Sequence, residues 1–231
     1  MVKFKTLALL MLTKGKLLLL GLTKGGTLIS MFASIGLYGT AWGWPFAAGF
    51  VALIYVHEMG HVAALSRYGI RASAPMFLPG IGAVVRLRQR LVSAREEAVV
   101  GLAGPIWGTS ATLVVYAASV VSHHPILIVL SRAGALLNLF NLAPIWQLDG
   151  ARAFGALRRS QRWMIVVAAV LAELATGQPL LFVIAILGML RALERNAPAR
   201  GDRRIFLAFI ALICVLAALC LPTVDPAHTF R

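Results

Sequence analysis

The stretch Tyr55-Val-His-Glu-Met-Gly-His61 decides how the chain is interpreted, because it places an H-E-x-x-H pattern inside an apolar run from Pro45 to Leu65. On a helix, His57 and His61 lie one turn apart on the same face. Two imidazoles in that arrangement can occupy two corners of a tetrahedral zinc site. Glu58 lies about 100° around the helix, where it can take a proton from a water molecule at the metal. The pattern therefore predicts a metal-binding helix that also carries a general base.

The composition is that of a membrane protein. Of the 231 residues, 60% are hydrophobic and 13% are charged, whereas soluble domains have about 45–50% apolar and about 25% charged residues. The formal charge is +14, and the basic residues cluster between apolar runs. Such clusters are typical of cytoplasmic loops that face anionic lipid. No aromatic-plus-basic pattern of a nucleic-acid-binding module is present, so we expect no nucleic-acid partner.

The apolar runs predict an all-α polytopic membrane protein with about six core transmembrane helices and one further helix at the C-terminal end. The predicted spans are about 26–41, 45–65, 97–121, 126–144, 163–176, 179–190 and 205–221. With a cytoplasmic N-terminus, nearly all Lys and Arg residues fall on the cytoplasmic side. This topology predicts a multi-pass membrane protein. It also places His57, His61 and Asp149 towards the same membrane face.

The chain divides into three predicted parts. Residues 1–25 carry five lysines among leucines and predict a basic interfacial segment. Residues 26–195 form the predicted membrane core, and residues 196–231 a basic linker, the last helix and a short tail. Inside the core, residues 74–87 are too short and too broken by Pro and Gly to span a membrane. Their β-branched residues and glycines predict a small β hairpin or strand that dips towards the membrane.

A third metal ligand is expected from an acidic residue, because a carboxylate at membrane depth is functional by default. Three acids lie within or at the edge of apolar runs: Glu58, Asp149 and Glu173. Asp149 is the best candidate for the third ligand because its span ends at the same face as the histidines. Water would complete the open coordination of a catalytic zinc site. The role of Glu173 stays open.

Four motifs give the chain a resemblance to the site-2 protease family of zinc intramembrane metalloproteases. Residues 57–61 match its H-E-x-G-H form, and residues 141–150 match its N-x-x-P-x-x-x-L-D-G motif. Gly80-Ile-Gly82 resembles the G-x-G of its β segment, and Ala103-Gly-Pro105 the A-G-P that opens its third core span. The resemblance covers about residues 26–195 and is to a compact bacterial-type member without a PDZ or CBS domain.

The resemblance implies a zinc metalloendopeptidase with one Zn²⁺ per chain. It would hydrolyse a peptide bond of a single-span or otherwise membrane-embedded protein substrate near the cytoplasmic side. The implied zinc ligands are His57, His61 and Asp149, and the implied general base is Glu58. Asn141 would hold the substrate or stabilise the oxyanion. The implied substrate-binding edge strand consists of Gly80, Ile81, Gly82 and Ala83.

Two alternatives remain from the sequence. An inactive relative could bind membrane helices as a regulator, but the presence of Glu58 argues against loss of catalysis. A metal or ion transporter could use Glu173 and the histidines as a pathway. The acidic residues argue against that, because they cluster at one face instead of lining a route.

Overall fold

The computed structural model describes residues 24–70, 75–78, 82–84 and 93–221. The predicted interfacial segment 1–25 lies almost wholly outside these residues. Eight helices are described: α1 (Lys24–Trp42), α2 (Trp44–Arg67), α3 (Ala94–Ser122), α4 (Pro125–Asn141), α5 (Asp149–Gly155), α6 (Arg159–Thr176), α7 (Pro179–Leu193) and α8 (Arg203–Cys220). Two short strands, β1 (Met76–Leu78) and β2 (Gly82–Val84), lie between α2 and α3. The chain forms two compact units, Met1–Arg90 and Leu91–Arg231.

The first unit is built on α1 and α2, which pack against each other. Gly43 joins them with a φ of 86°, a left-handed conformation that glycine adopts without a Cβ clash. Pro45 then stands in the first turn of α2, where its missing N–H leaves no helical hydrogen bond unmade. Strand β1 contacts α1, and β2 contacts α2. The strands pair antiparallel, with Phe77 opposite Ala83.

The second unit surrounds a core of apolar side chains from six helices, α3 to α8. Phe154 of α5 and Phe209 of α8 are fully buried and meet edge to face, with ring centroids 5.4 Å apart. Helix α3 packs against α4, α5 and α8, while α6 packs against α7 and α8. Ser93 caps α3 by accepting the Glu96 backbone N–H, and Asp202 caps α8 by accepting two backbone N–H groups. These contacts hold the short helix α5 between longer ones.

A buried arginine connects the beginning of α6 to the end of α7 through hydrogen bonds. Arg162 is 2% exposed. Its guanidinium donates to the backbone carbonyls of Leu157 and Arg191 and to the side-chain oxygen of Asn196, at 3.1, 2.8 and 3.3 Å. Burial lowers the pKa of Arg162, and neighbouring Arg191 lowers it further, while Glu194 opposes both effects. The three acceptors provide the hydrogen bonds that a buried guanidinium needs.

The predicted count of about six core transmembrane helices plus one is wrong. Among the described residues, three helices are long and apolar enough to cross a membrane: α2, α3 and α8. Helices α4 and α7 are apolar but contain only 17 and 15 residues, about 25 and 22 Å at 1.5 Å per residue, against a hydrocarbon core of about 30 Å. Glycine, serine and threonine lower the hydropathy of α1, and α6 carries three charged residues.

Of the predicted membrane-dipping β segment, the described residues show a short strand pair but nothing that places it at a membrane. The structure describes six residues of segment 74–87 in strands, and two strands of three residues do not change the class of the fold. The protein is helical, with a minimal strand pair beside the first two helices.

Candidate metal centre

The two histidines of the H-E-x-x-H pattern face each other on α2. His57 and His61 are 3% and 7% exposed, and their Nε2 atoms lie 3.2 Å apart. The ring planes meet at 74°, with centroids 5.0 Å apart. The four-residue spacing produces this geometry, because residues i and i+4 project from the same helix face. Both rings therefore direct the same nitrogen to one point.

This separation fits tetrahedral coordination. Zn–N bonds of about 2.0–2.1 Å at a tetrahedral angle place two ligand nitrogens about 3.3–3.4 Å apart. The observed 3.2 Å is within about 0.2 Å of that edge. A helix with two buried imidazoles thus already has the spacing that a shared metal requires.

Asp149, the predicted third ligand, belongs to the second unit. It is the first residue of α5 and is 6% exposed. Two imidazoles and one carboxylate are the donor set of a catalytic zinc site, in which a fourth position is left for water.

The local fold around Asp149 depends on the glycine that follows it. A Cβ built on Gly150 would overlap the backbone carbonyl of Leu142, in the turn that ends α4. A Cβ on Gly101 of α3 would lie 2.9 Å from the Asp149 carbonyl oxygen. Only residues without a Cβ permit α5 to start this close to both neighbours. The importance of Gly101 was not predicted. Its signal, a small residue in the middle of an apolar helix, is too common to single out.

Glu58 and Asn141 differ in their surroundings. Glu58 is 8% exposed on α2, next in sequence to the first histidine. Asn141 is the half-buried last residue of α4, and its Nδ2 donates to the Leu137 carbonyl at 3.0 Å. The side-chain amide of Asn141 is thus bonded to its own helix. Its predicted contact with substrate stays a prediction.

The predicted substrate strand is described only in part. Gly80 and Ile81 lie outside the described residues, whereas Gly82 and Ala83 belong to β2. Strand β2 contacts α2, the helix that carries the histidine pair. This position is compatible with the predicted role but does not test it.

Comparison with known proteins agrees with this chemistry. Residues 45–133 match the sequence model of peptidase family M50. A zinc metalloprotease of Methanocaldococcus jannaschii is 26% identical over 154 residues, which are 64% of this chain and 44% of that protein. This chain therefore spans less than half the length of that relative. The family match covers less than half of the chain and includes the histidine pair and Glu58. The match and the relative both agree with the resemblance to the site-2 proteases that the motifs gave, and the chain is similar to peptidase family M50 in this part.

Proposed function

We propose that this metallopeptidase is a zinc-dependent intramembrane protease. One Zn²⁺ per chain would be held by His57, His61 and Asp149. The observation that carries the proposal is the buried pair of histidine Nε2 atoms, which lie 3.2 Å apart on α2. The zinc named for the Methanocaldococcus relative supports the same metal.

The setting of the histidines supports a membrane-embedded substrate. They lie on α2, one of the three described helices that are long and apolar enough to cross a membrane. A peptide bond that reaches them would come from a segment at membrane depth. We infer that the substrate is a single-span or otherwise membrane-embedded protein. The multi-pass inner-membrane location, the cytoplasmic N-terminus and cleavage near the cytoplasmic side belong to this proposal, supported by the clustering of basic residues between apolar runs.

The proposed chemistry is amide hydrolysis with Glu58 as the proton carrier. When bound, zinc supplies a Lewis acid that polarises a carbonyl and lowers the pKa of water. Glu58 accepts a proton from the attacking water as its oxygen bonds to the scissile carbonyl carbon. The same carboxyl group then delivers the proton to the leaving amide nitrogen as the C–N bond breaks. The products are a carboxylate and an amine, and Glu58 returns to its ionised state.

Two further elements would position the substrate. The Asn141 amide can donate to the developing oxyanion if it exchanges its bond to Leu137 for one to substrate. Gly82 and Ala83 of β2 can pair with an extended substrate segment by strand addition, together with the predicted Gly80 and Ile81. An extended segment is required because a helix engages its peptide carbonyls in internal hydrogen bonds.

Cleavage of a single-span reporter by Glu58→Gln tests the proposal. We expect the rate to fall by about 10²–10⁴-fold, the usual contribution of a general base, while the zinc content stays at one per chain. Glu97→Gln is the matched control, because Glu97 is an exposed carboxylate in the first turn of α3. A Glu58→Gln protein that cuts at the wild-type rate would refute the mechanism. A zinc-loaded wild type that binds membrane helices without cutting them would favour the alternative function, that of an inactive relative that acts as a regulator.

A further inference from the structure

A basic cavity lies in the second unit, at the end where α6 begins. Its volume is about 560 Å³. It is formed by the first residues of α6 and by the segment between α7 and α8. The lining residues are Arg158, Arg159, Ser160, Glu194, Arg195, Ala197, Pro198 and Ala199. None of them is a candidate zinc ligand or a proposed substrate contact.

The charge of the lining is strongly positive. Its three arginines are exposed, and within the part of the chain that the structure describes none of them makes an ion pair. The lining glutamate, Glu194, already has a partner, because both of its carboxylate oxygens accept from Nη1 of Arg191 at 2.9 Å. The cavity is therefore lined by three guanidinium groups whose charge no neighbouring acid balances.

The position of two of these arginines is unfavourable without an anion. Arg158 is the N-cap residue of α6, and Arg159 is its first residue. The N-terminus of a helix carries about half a positive charge, which repels cations and attracts anions. A phosphate in the cavity would interact favourably with the helix end and with the planar guanidinium groups, which bind phosphate through paired N–H donors.

The cavity also lies next to a helix that can cross a membrane. The lining residue Ala199 is four positions before Arg203, where α8 begins, and α8 is one of the three such helices described. A lipid headgroup would reach this level of the protein. We propose that the cavity binds a phosphate-bearing anion, presented by an anionic lipid headgroup or by a soluble phosphate compound.

The test compares two variants of the full-length protein that lose the same charge. One replaces Arg158, Arg159 and Arg195 with Gln. The control replaces three exposed arginines outside the cavity lining with Gln: Arg200, Arg203 and Arg204. Native mass spectrometry counts retained phosphatidylglycerol against phosphatidylcholine, and calorimetry measures inorganic phosphate. Thermal unfolding checks that both variants are folded, and the single exposed-site change Arg195→Glu provides a second cavity variant.

We expect the cavity variant to bind about 100-fold more weakly, about fivefold for each arginine, and the control to bind like wild type. Retention of phosphatidylglycerol alone would identify a lipid headgroup as the source. Binding of inorganic phosphate as well would support the shared phosphate chemistry. Equal losses in the two variants would overturn the proposal, since the effect would then be one of net charge. Absence of binding to wild type, or wild-type binding by both cavity variants, would overturn it too.

Discussion

Replacement of Gly150 by Ala should damage the fold and the metal site together. Gly150 follows Asp149 in the first turn of α5. A Cβ at this position would overlap the carbonyl oxygen of Leu142 and lie 3.0 Å from the carbonyl carbon of Ala143. These are backbone atoms of the turn that ends α4, and they cannot rotate away as a side chain does. The start of α5 and this turn would therefore have to separate.

The expected magnitude follows from the kind of contact. Insertion of one methyl group into a filled site costs about 1–3 kcal/mol, and a clash with rigid backbone favours the upper end, about 3 kcal/mol. Because Asp149 is the preceding residue, its carboxylate would move with the helix start. Loss of support for a metal ligand weakens metal binding by about 10–100-fold. We expect that weakening here if Asp149 is a zinc ligand.

Gly155→Ala is the matched control in the same helix. A Cβ at Gly155 would meet no atom within 4 Å, and alanine is favoured over glycine in helices by up to about 1 kcal/mol. Thermal unfolding followed by tryptophan fluorescence, with zinc content by mass spectrometry, would compare the two variants. If Gly150→Ala and Gly155→Ala had the same unfolding temperature and zinc content, the reasoning about the close approach would be wrong.

The helix of the metal centre could be predicted because the pattern that indicates it lies within a few consecutive residues. The spacing of His57 and His61 determines that both rings leave α2 on one face, whatever packs around it. The family could be predicted for a similar reason, since the motif residues are a property of the sequence. The match of residues 45–133 to the model of peptidase family M50 agrees with that prediction.

The number of membrane-crossing helices could not be predicted, because composition does not determine where a helix ends. Helix α4 is as apolar as a span, but it stops at Asn141, where the turn towards α5 begins. Helix α7 begins at Pro179, directly after a turn in which Gly177 has a φ of 64°. Both helices are therefore too short to cross a membrane, although their apolar composition predicted a span.

Features that depend on contacts between distant parts of the chain could not be predicted from the sequence either. Arg162 directly precedes the predicted span 163–176 and belongs to one of the basic clusters that were assigned to cytoplasmic loops. In the structure it is buried, because acceptors 29 and 34 positions further along the chain meet its guanidinium. The need for glycine at Gly150 likewise follows from a carbonyl eight residues earlier, which only the folded turn brings close.

Two further predictions separate the metal site from the supporting structure. Replacement of His57 and His61 by Ala should abolish zinc retention. Replacement of His123 and His124, which are exposed and adjacent to each other in the sequence, should leave one zinc per chain. Equal zinc content in the two variants would show that the site is misassigned. Arg162→Met should lower the free energy of unfolding by about 1–3 kcal/mol, because it leaves buried acceptors unpaired. Arg162→Lys should lower it too, since one ammonium group cannot replace the separate Nε and Nη1 donors of the guanidinium. If Arg162→Met unfolded at the wild-type temperature, the three hydrogen bonds would contribute nothing net, and apolar packing alone would hold α6 to the end of α7.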